Sequence, residues 1–251
     1  MKINISAQNL SVNYTVRSPN DFNLKHYLLD RKSKSRIEPQ TICALRNLSL
    51  ELTEGDRLGV LGDNGAGKST LLSLLAGVLQ PDSGQLVTNG QVLGLLNDPL
   101  ANLVPEASGL ENIIQILILL DHSEMIDSSL VEEIVDFSGL SNRIFDPVFS
   151  YSTGMRVRLK MSIILSLEPE ILIMDEGFGF ADQKFYSKAQ KSIESFMSNS
   201  KIVVVSSHQV SYLHKFCNKG LILDRGECIF IGNIDEALDI RMKMLNEELD
   251  S

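Results

Sequence analysis

The chain has 251 residues, 43% of them hydrophobic and 22% charged, which is ordinary globular content for one large or two small domains and excludes a low-complexity polymer. Its 32 acidic and 23 basic side chains leave a formal charge of −9, which argues against broad electrostatic binding to nucleic acid. Cys43, Cys217 and Cys228 are odd in number and far apart, so no disulfide framework is expected and a reducing compartment fits.

Residues 3 to 16 alternate as a strand does, and Thr41 to Leu52 resumes the pattern with Leu45, Leu48, Leu50 and Leu52. Between them, residues 18 to 40 carry Pro19, Pro39 and the cations Lys25, Arg31, Lys32, Lys34 and Arg36. Two readings stand for this insertion: a solvated loop, or a contact with anionic lipid headgroups or a phosphate-bearing substrate.

The apolar stretch Arg57-Leu-Gly-Val-Leu61 runs into Gly62-Asp63-Asn64-Gly65-Ala66-Gly67-Lys68-Ser69-Thr70 and then Leu71, Leu72, Leu74 and Leu75. Strand, glycine-rich loop and helix in that order make a phosphate cradle. The glycines let successive backbone N–H groups converge on phosphate oxygens, and the helix N-terminus favours the negative charge. Lys68 adds a point charge, and the Ser69 hydroxyl is placed to ligate Mg²⁺.

Short strands are predicted from Leu86 to Leu96, and helices over Gly109 to Leu120 and Ser128 to Phe137. The longest apolar run, Ile113 to Leu120, is interrupted by Gln115 and is far short of the roughly 20 residues a spanning helix needs. The N-terminus lacks the apolar core of a signal peptide, so a cytoplasmic chain is expected. Tyr151-Ser152-Thr153-Gly154-Met155 opens a helix bearing Arg156, Arg158 and Lys160. Ser152 reads as its N-cap, and the N–H groups of Thr153 and Gly154 either belong to an ordinary cap or receive a phosphate.

Ile171 to Met174 reads as a buried strand ending in Asp175 and Glu176. A carboxylate there can hold Mg²⁺ through water, and the next can polarise an attacking water. Lys184 to Met197 reads as a helix and Lys201 to Val205 as a strand leading to Ser206, Ser207 and His208, where the histidine is either structural or within reach of a γ-phosphate. Strands alternating with helices imply an α/β fold with a mainly parallel sheet and ligands at its carboxyl edge. Ile234 to Asp250 reads as an amphipathic helix with Ile234, Leu238, Met242 and Leu245 on one face.

Over roughly residues 3 to 235, the order of these motifs resembles the nucleotide-binding subunits of ABC transporters. The resemblance implies a P-loop NTPase of ABC type, one domain over 1–251. It has a mainly parallel core, an antiparallel β subdomain, an inserted helical subdomain at about 98–165 and a C-terminal helix at about 233–251. It also implies ATP and Mg²⁺ as ligands. Tyr151 to Met155 is similar to the family signature, which binds the γ-phosphate held by a second copy. The resemblance assigns His208 to the switch histidine, Asp182 to the loop aspartate crossing the dimer interface, and Tyr14 to the aromatic that stacks on adenine, with Tyr27 and Phe22 as alternatives. The family's metal-contacting glutamine falls near Asn97-Asp98, where Asp98 acts through water or the loop serves coupling instead.

Tyr-Ser-Thr-Gly-Met, the polar insertion, Gly177 to Phe185, and Pro105-Glu-Ala-Ser-Gly-Leu-Glu111-Asn112-Ile113 are similar to the subfamily that exports polysaccharides such as O antigens, teichoic acids and some capsules. That implies a homodimer on the cytoplasmic face of the membrane, coupled through about Asp98 to Ile118 to a separate permease carrying a lipid-linked glycan. Some relatives carry a carbohydrate-binding domain after the helix from Ile234 to Asp250, where this sequence ends, so recognition of a modified glycan end by that route is not expected. The alternatives are a soluble ABC-type ATPase, which usually has two cassettes or a coiled-coil insertion, and a module that senses ATP without hydrolysing it, which would lack a carboxylate after Asp175 where this chain has Glu176.

Overall fold

A computed structural model describes residues 2–16, 40–96, 103–120, 126–175, 192–207 and 209–249. Its elements are β1 (Asn4–Val16), β2 (Gln40–Thr53), β3 (Arg57–Leu61), α1 (Lys68–Leu75), β4 (Ser83–Asn89), β5 (Val92–Leu95), α2 (Gly109–Leu119), α3 (Ser128–Ser138) and α4 (Thr153–Leu165). They continue with β6 (Ile171–Met174), helical residues 192–199 (α5), β7 (Ile202–Ser206), α6 (Val210–Phe216), β8 (Lys219–Asp224), β9 (Glu227–Asn233) and α7 (Ile234–Leu249).

Two sheets result. Strands β2, β1 and β4 form an antiparallel sheet in that order, and the second sheet runs β5-β6-β7-β3-β8-β9. Its first five strands are parallel, and β9 returns antiparallel to β8. The skipped beat between Leu45 and Leu48 in β2 has a local cause. Asn9 and Asn47 both take positive φ, 51° and 47°, a conformation asparagine tolerates better than most residues. The register of β1 on β2 shifts there, pairing Leu10 with Leu48 and Val12 with Leu45, which returns each leucine to the buried side.

The larger sheet is covered on both faces, so its strands are apolar throughout. Alternate residues go to opposite cores. Leu58, Val60, Ile171, Ile173, Ile202, Val204, Leu221 and Leu223 pack with α1 and the antiparallel sheet, whereas Leu172, Met174, Val203, Val205 and Ile222 pack with side chains of α2, α4 and α7. Each such fully buried aliphatic side chain contributes roughly 1.5–3 kcal/mol.

Helix α7 departs from the expected face. Ile234 and Leu238 are buried, as is Ala237, but Met242 is 52% and Leu245 38% exposed. Steps of four residues rotate about 40° beyond a full turn each time, so Met242 leaves the sheet while Arg241 and Met244 stay half-buried. The helix lies close because Gly220 leaves room for Ala237 and Ile234, and Gly59 for Ile234. Among the described residues no helix is long and apolar enough to cross a membrane.

Candidate functional site

The phosphate loop leaves β3, which lies between β7 and β8. Gly62 and Gly67 have φ of 147° and 106°, and a β-carbon on either would strike a carbonyl oxygen, that of Leu223 or Ala44. Only glycine serves at both. Gly67 caps α1 with no side-chain hydrogen bond, and the first turn holds no acidic residue. The first N–H groups of the helix therefore face outward with their dipole uncompensated. Ala66 is buried, Asp63, Asn64, Gly65 and Ser69 are exposed, and Thr70 is half-buried. Lys68 is only 8% exposed. Its Nζ donates to the carbonyls of Gly62 at 2.8 Å and Asp63 at 3.1 Å, which accounts for two of its three donors.

Asp175 reaches the same edge through strand register. Ser206 pairs with Val60 on one side of β7, and Val205 pairs with Met174 on the other. Asp175 and Val60, two residues before the loop begins, thus stand at one level on either side of Ser206. The buried Ser206 hydroxyl donates to Asp175 Oδ1, and the Asp175 N–H donates to Leu95 O at 3.0 Å. Sequence reasoning did not single out Ser206, although a hydroxyl ending an apolar strand next to the acidic one was the available signal.

Three further elements brace the loop. Tyr14 of β1, 44% exposed, brings its hydroxyl to 3.5 Å from Thr70 Oγ1, placing an aromatic ring beside the start of α1. The β8–β9 turn, Arg225-Gly226, has positive φ at both residues, 46° and 83°, the conformation of a two-residue hairpin turn. Gly226 N–H donates to Ala66 O at 3.0 Å, and Arg46 N–H donates to Gly226 O at 2.8 Å. From α7, the Arg241 guanidinium pairs with the Asp63 carboxylate. Neither the turn nor Arg241 was anticipated.

The Tyr151 to Met155 segment sits elsewhere, on α4, which packs against α2 and α3. Ser152 is the N-cap, its Oγ accepting from Met155 N at 3.3 Å. Ser152 and Thr153 are exposed and Gly154 is half-buried. Tyr151 is 3% exposed and donates to Arg143 O at 2.6 Å, and burial raises its phenol pKa above the usual value. Among the described residues, no hydrogen bond joins Ser152, Thr153 or Gly154 to the phosphate loop or Asp175.

The Pro105 to Ile113 stretch is a helix entry. Ser108 and Glu111 form a capping box, with Ser108 N–H donating to Glu111 Oε2 at 2.7 Å and Glu111 N–H to Ser108 Oγ at 3.2 Å. Ser108's N–H and hydroxyl hold the Glu111 carboxyl below its ordinary pKa. Asn112, fully buried, donates to Val104 O at 3.0 Å and Ser108 O at 2.9 Å and accepts from Val104 N at 2.7 Å.

Asp98, Glu176, Asp182 and His208 lie outside the described residues, as do Phe22, Tyr27 and the cations from Lys25 to Arg36. No cluster of three His, Cys, Asp or Glu forms among the described residues. A divalent cation at this edge would draw on Ser69, Asp175 and the oxygens of a bound phosphate. Such hard oxygen donors suit Mg²⁺, and Ser206 already orients the carboxylate.

Comparison with known proteins agrees with this arrangement. Residues 45–179 match the family described as ABC transporter. The O-antigen export system ATP-binding protein RfbE of Yersinia enterocolitica is 38% identical over 224 residues, 87% of this chain and 93% of its own. The teichoic acids export ATP-binding protein TagH of Staphylococcus epidermidis is 32% identical over 238 residues, 95% of this chain and 88% of its own. The fold is similar to the dimeric post-hydrolysis state of the ATP-binding cassette MJ0796 bound to ADP and Pi, with a TM-score of 0.68, 19% identity, and 92% and 98% of the two chains covered.

Proposed function

The chain belongs to the ABC transporter family, and from that premise we propose that it is the ATP-hydrolysing subunit that powers export of a lipid-linked, O-antigen-like polysaccharide through a separate permease. The observation that carries the reading is the division of the site. The phosphate loop and Asp175 stand together at one sheet edge, whereas Ser152 to Gly154 offer helix N-terminal N–H groups from a different part of the chain. A γ-phosphate needs both sets, so two copies pack head to tail, each completing the other's site.

In that dimer, the loop N–H groups of Gly62 to Thr70 and the Lys68 ammonium hold the phosphates, and Tyr14 stacks on adenine. Ser69 and Asp175 would hold Mg²⁺, with Asp98 contributing through water, and the ion would supply positive charge that offsets the phosphates. Ser152, Thr153 and Gly154 of the other copy bind the γ-phosphate, and Asp182 crosses the interface. Glu176 orients water and takes its proton. The water oxygen forms a bond to the γ-phosphorus while the bond to the bridging oxygen breaks, with His208 stabilising the transferring group. The products are ADP and inorganic phosphate. Loss of the bridging phosphate lets the dimer open, and the segment from Asp98 to Ile118 passes that motion to the permease.

The cargo follows from the relatives, whose names describe O-antigen and teichoic acid export. The chain then works at the cytoplasmic face of the cytoplasmic membrane, as a peripheral subunit without nucleic acid. Glu176→Gln is expected to trap an ATP-bound dimer in sedimentation. The native chain is expected to copurify from detergent-solubilised membranes with a permease, with ATPase activity stimulated by lipid-linked glycan. A variant monomeric under saturating ATP overturns the shared site, and a chain that binds no membrane partner overturns the export role.

A further inference from the structure

Arg241 belongs to none of the motifs used above, yet α7 carries it to the nucleotide edge. Strand β9 ends opposite the amino end of β8, pairing Asn233 with Lys219, so α7 starts there and runs back along the sheet. Ile234 lies against Gly59 and Gly220, and Ala237 against Gly220. Seven residues beyond Ile234 advance the helix about 10 Å, and the chain from Gly59 to Asp63 covers a similar length in the same direction. The Arg241 guanidinium meets Asp63 Oδ1 there, its side chain 12% exposed.

The contact connects to the chemistry in two ways. Asp63 puts a carboxylate on the loop that takes a polyphosphate, a like charge that weakens binding unless a cation offsets it, and the guanidinium that meets it is largely buried while the carboxylate is half-exposed, so solvent screens the pair only in part. The backbone carbonyl of Asp63 also accepts from Lys68 Nζ at 3.1 Å and from Ala66 N at 3.1 Å. Fixing Asp63 from its side chain therefore fixes an acceptor that orients Lys68. We propose that Arg241 is a positioning residue of the nucleotide site, acting through Asp63 to neutralise the loop and hold Lys68 in the geometry that accepts the triphosphate.

This rests on the ATP-site reading above, and the test separates the two. Binding of a fluorescent ATP analogue with Mg²⁺ to the purified full chain, together with ATPase KM and kcat, is measured for the native protein and its variants. Arg241→Met keeps the apolar stem against the sheet and removes the guanidinium. It is expected to weaken analogue binding and raise KM about fivefold with kcat within about twofold of native. Arg241→Lys, which keeps a cation in reach, should recover most of that loss. In an Asp63→Ala background, Arg241→Met should change binding by less than about twofold, because its target is gone. Native-like binding by Arg241→Met overturns the proposal, as does an equal loss with and without Asp63, which would make Arg241 a packing residue only. A native chain that fails to bind the analogue overturns the ATP-site reading and this inference with it.

Discussion

The hydroxyl of Tyr151 lies 2.5 Å from where a β-carbon on Gly109 would sit. The first residue of the Tyr-Ser-Thr-Gly-Met segment thus rests on the first residue of α2, whose entry is set by Ser108, Glu111 and Asn112. Tyr151 also donates to Arg143 O. The helix entry and the segment are one packed unit, so displacement of one is felt by the other.

Gly109→Ala is therefore expected to destabilise the protein by about 1–3 kcal/mol through overpacking, although alanine in place of glycine within a helix ordinarily gains roughly 0.5–1 kcal/mol. Tyr151→Phe alone should cost about 1 kcal/mol by removing the hydrogen bond to the Arg143 carbonyl, which keeps the Asp146 N–H at 2.9 Å as its other donor. In the double variant the closest contact is gone and those with Ile144, 2.9 Å to its Cδ1 and 3.1 Å to its carbonyl oxygen, remain, so the loss should be smaller than the sum of the two single losses. Urea unfolding of the four proteins checks this. A stabilised Gly109→Ala would show that the contact gives way freely.

Ser206 orients Asp175, and its own burial leaves no water to replace it. With Asp175 in the metal-binding role proposed for it, Ser206→Ala should lower ATPase activity at limiting Mg²⁺ by roughly tenfold or more, the usual effect of removing a group that orients a metal ligand. Saturating Mg²⁺ should recover part of the loss. A titration of rate against Mg²⁺ tests it, and an unshifted midpoint would remove Ser206 from the metal site.

What was legible in the sequence was what neighbours in sequence encode. The loop from Gly62 to Lys68, the strand before Asp175 and the cap at Ser152 depend on local backbone geometry, and each takes the predicted element. Contacts between remote residues leave no such mark. Nothing in the spacing of residues 63 and 241, or of Ala66 and Gly226, says that they meet, because strand order and the close approach of α7 at Gly59 and Gly220 decide it. The buried face of α7 departs from its apolar pattern for a related reason. Met242 and Leu245 are as apolar as core residues, and only the sheet beneath the helix selects the turn that includes Arg241.

Burial pushes the Cys217 thiol from 9.0 up to about 12, and burial also raises Cys228. The sign follows from linkage. Below the unfolded value both states hold the proton and the full stability is present. Between 9.0 and about 12 the unfolded thiol ionises and the folded one does not, so stability falls as pH rises. The slope from Cys217 alone is at most about 1.4 kcal/mol per pH unit. Urea midpoints at pH 8 and pH 10.5 should differ less in Cys217→Ala than in the native chain. At pH 8, maleimide should label Cys217 only once the chain is unfolded, and rapid labelling of the folded protein would contradict its burial.

Ser152 allows the helix cap to be separated from the phosphate contact proposed for it. Its Oγ accepts from Met155 N, and an aspartate can cap in the same way. Ser152→Ala should lose about 1 kcal/mol of stability with the cap, and should also weaken ATP-driven dimerisation. Ser152→Asp should keep native stability, because the carboxylate still accepts the Met155 N–H and complements the helix dipole. It also places a negative charge where the other copy's γ-phosphate must come. Dimerisation under ATP should therefore fall further in Ser152→Asp than in Ser152→Ala, the reverse of their order in stability. Thermal unfolding and sedimentation on the same two variants, in an ATP-trapping Glu176→Gln background, give both orders. If dimerisation instead follows stability, with Ser152→Asp behaving as native, Ser152 is a cap and nothing more.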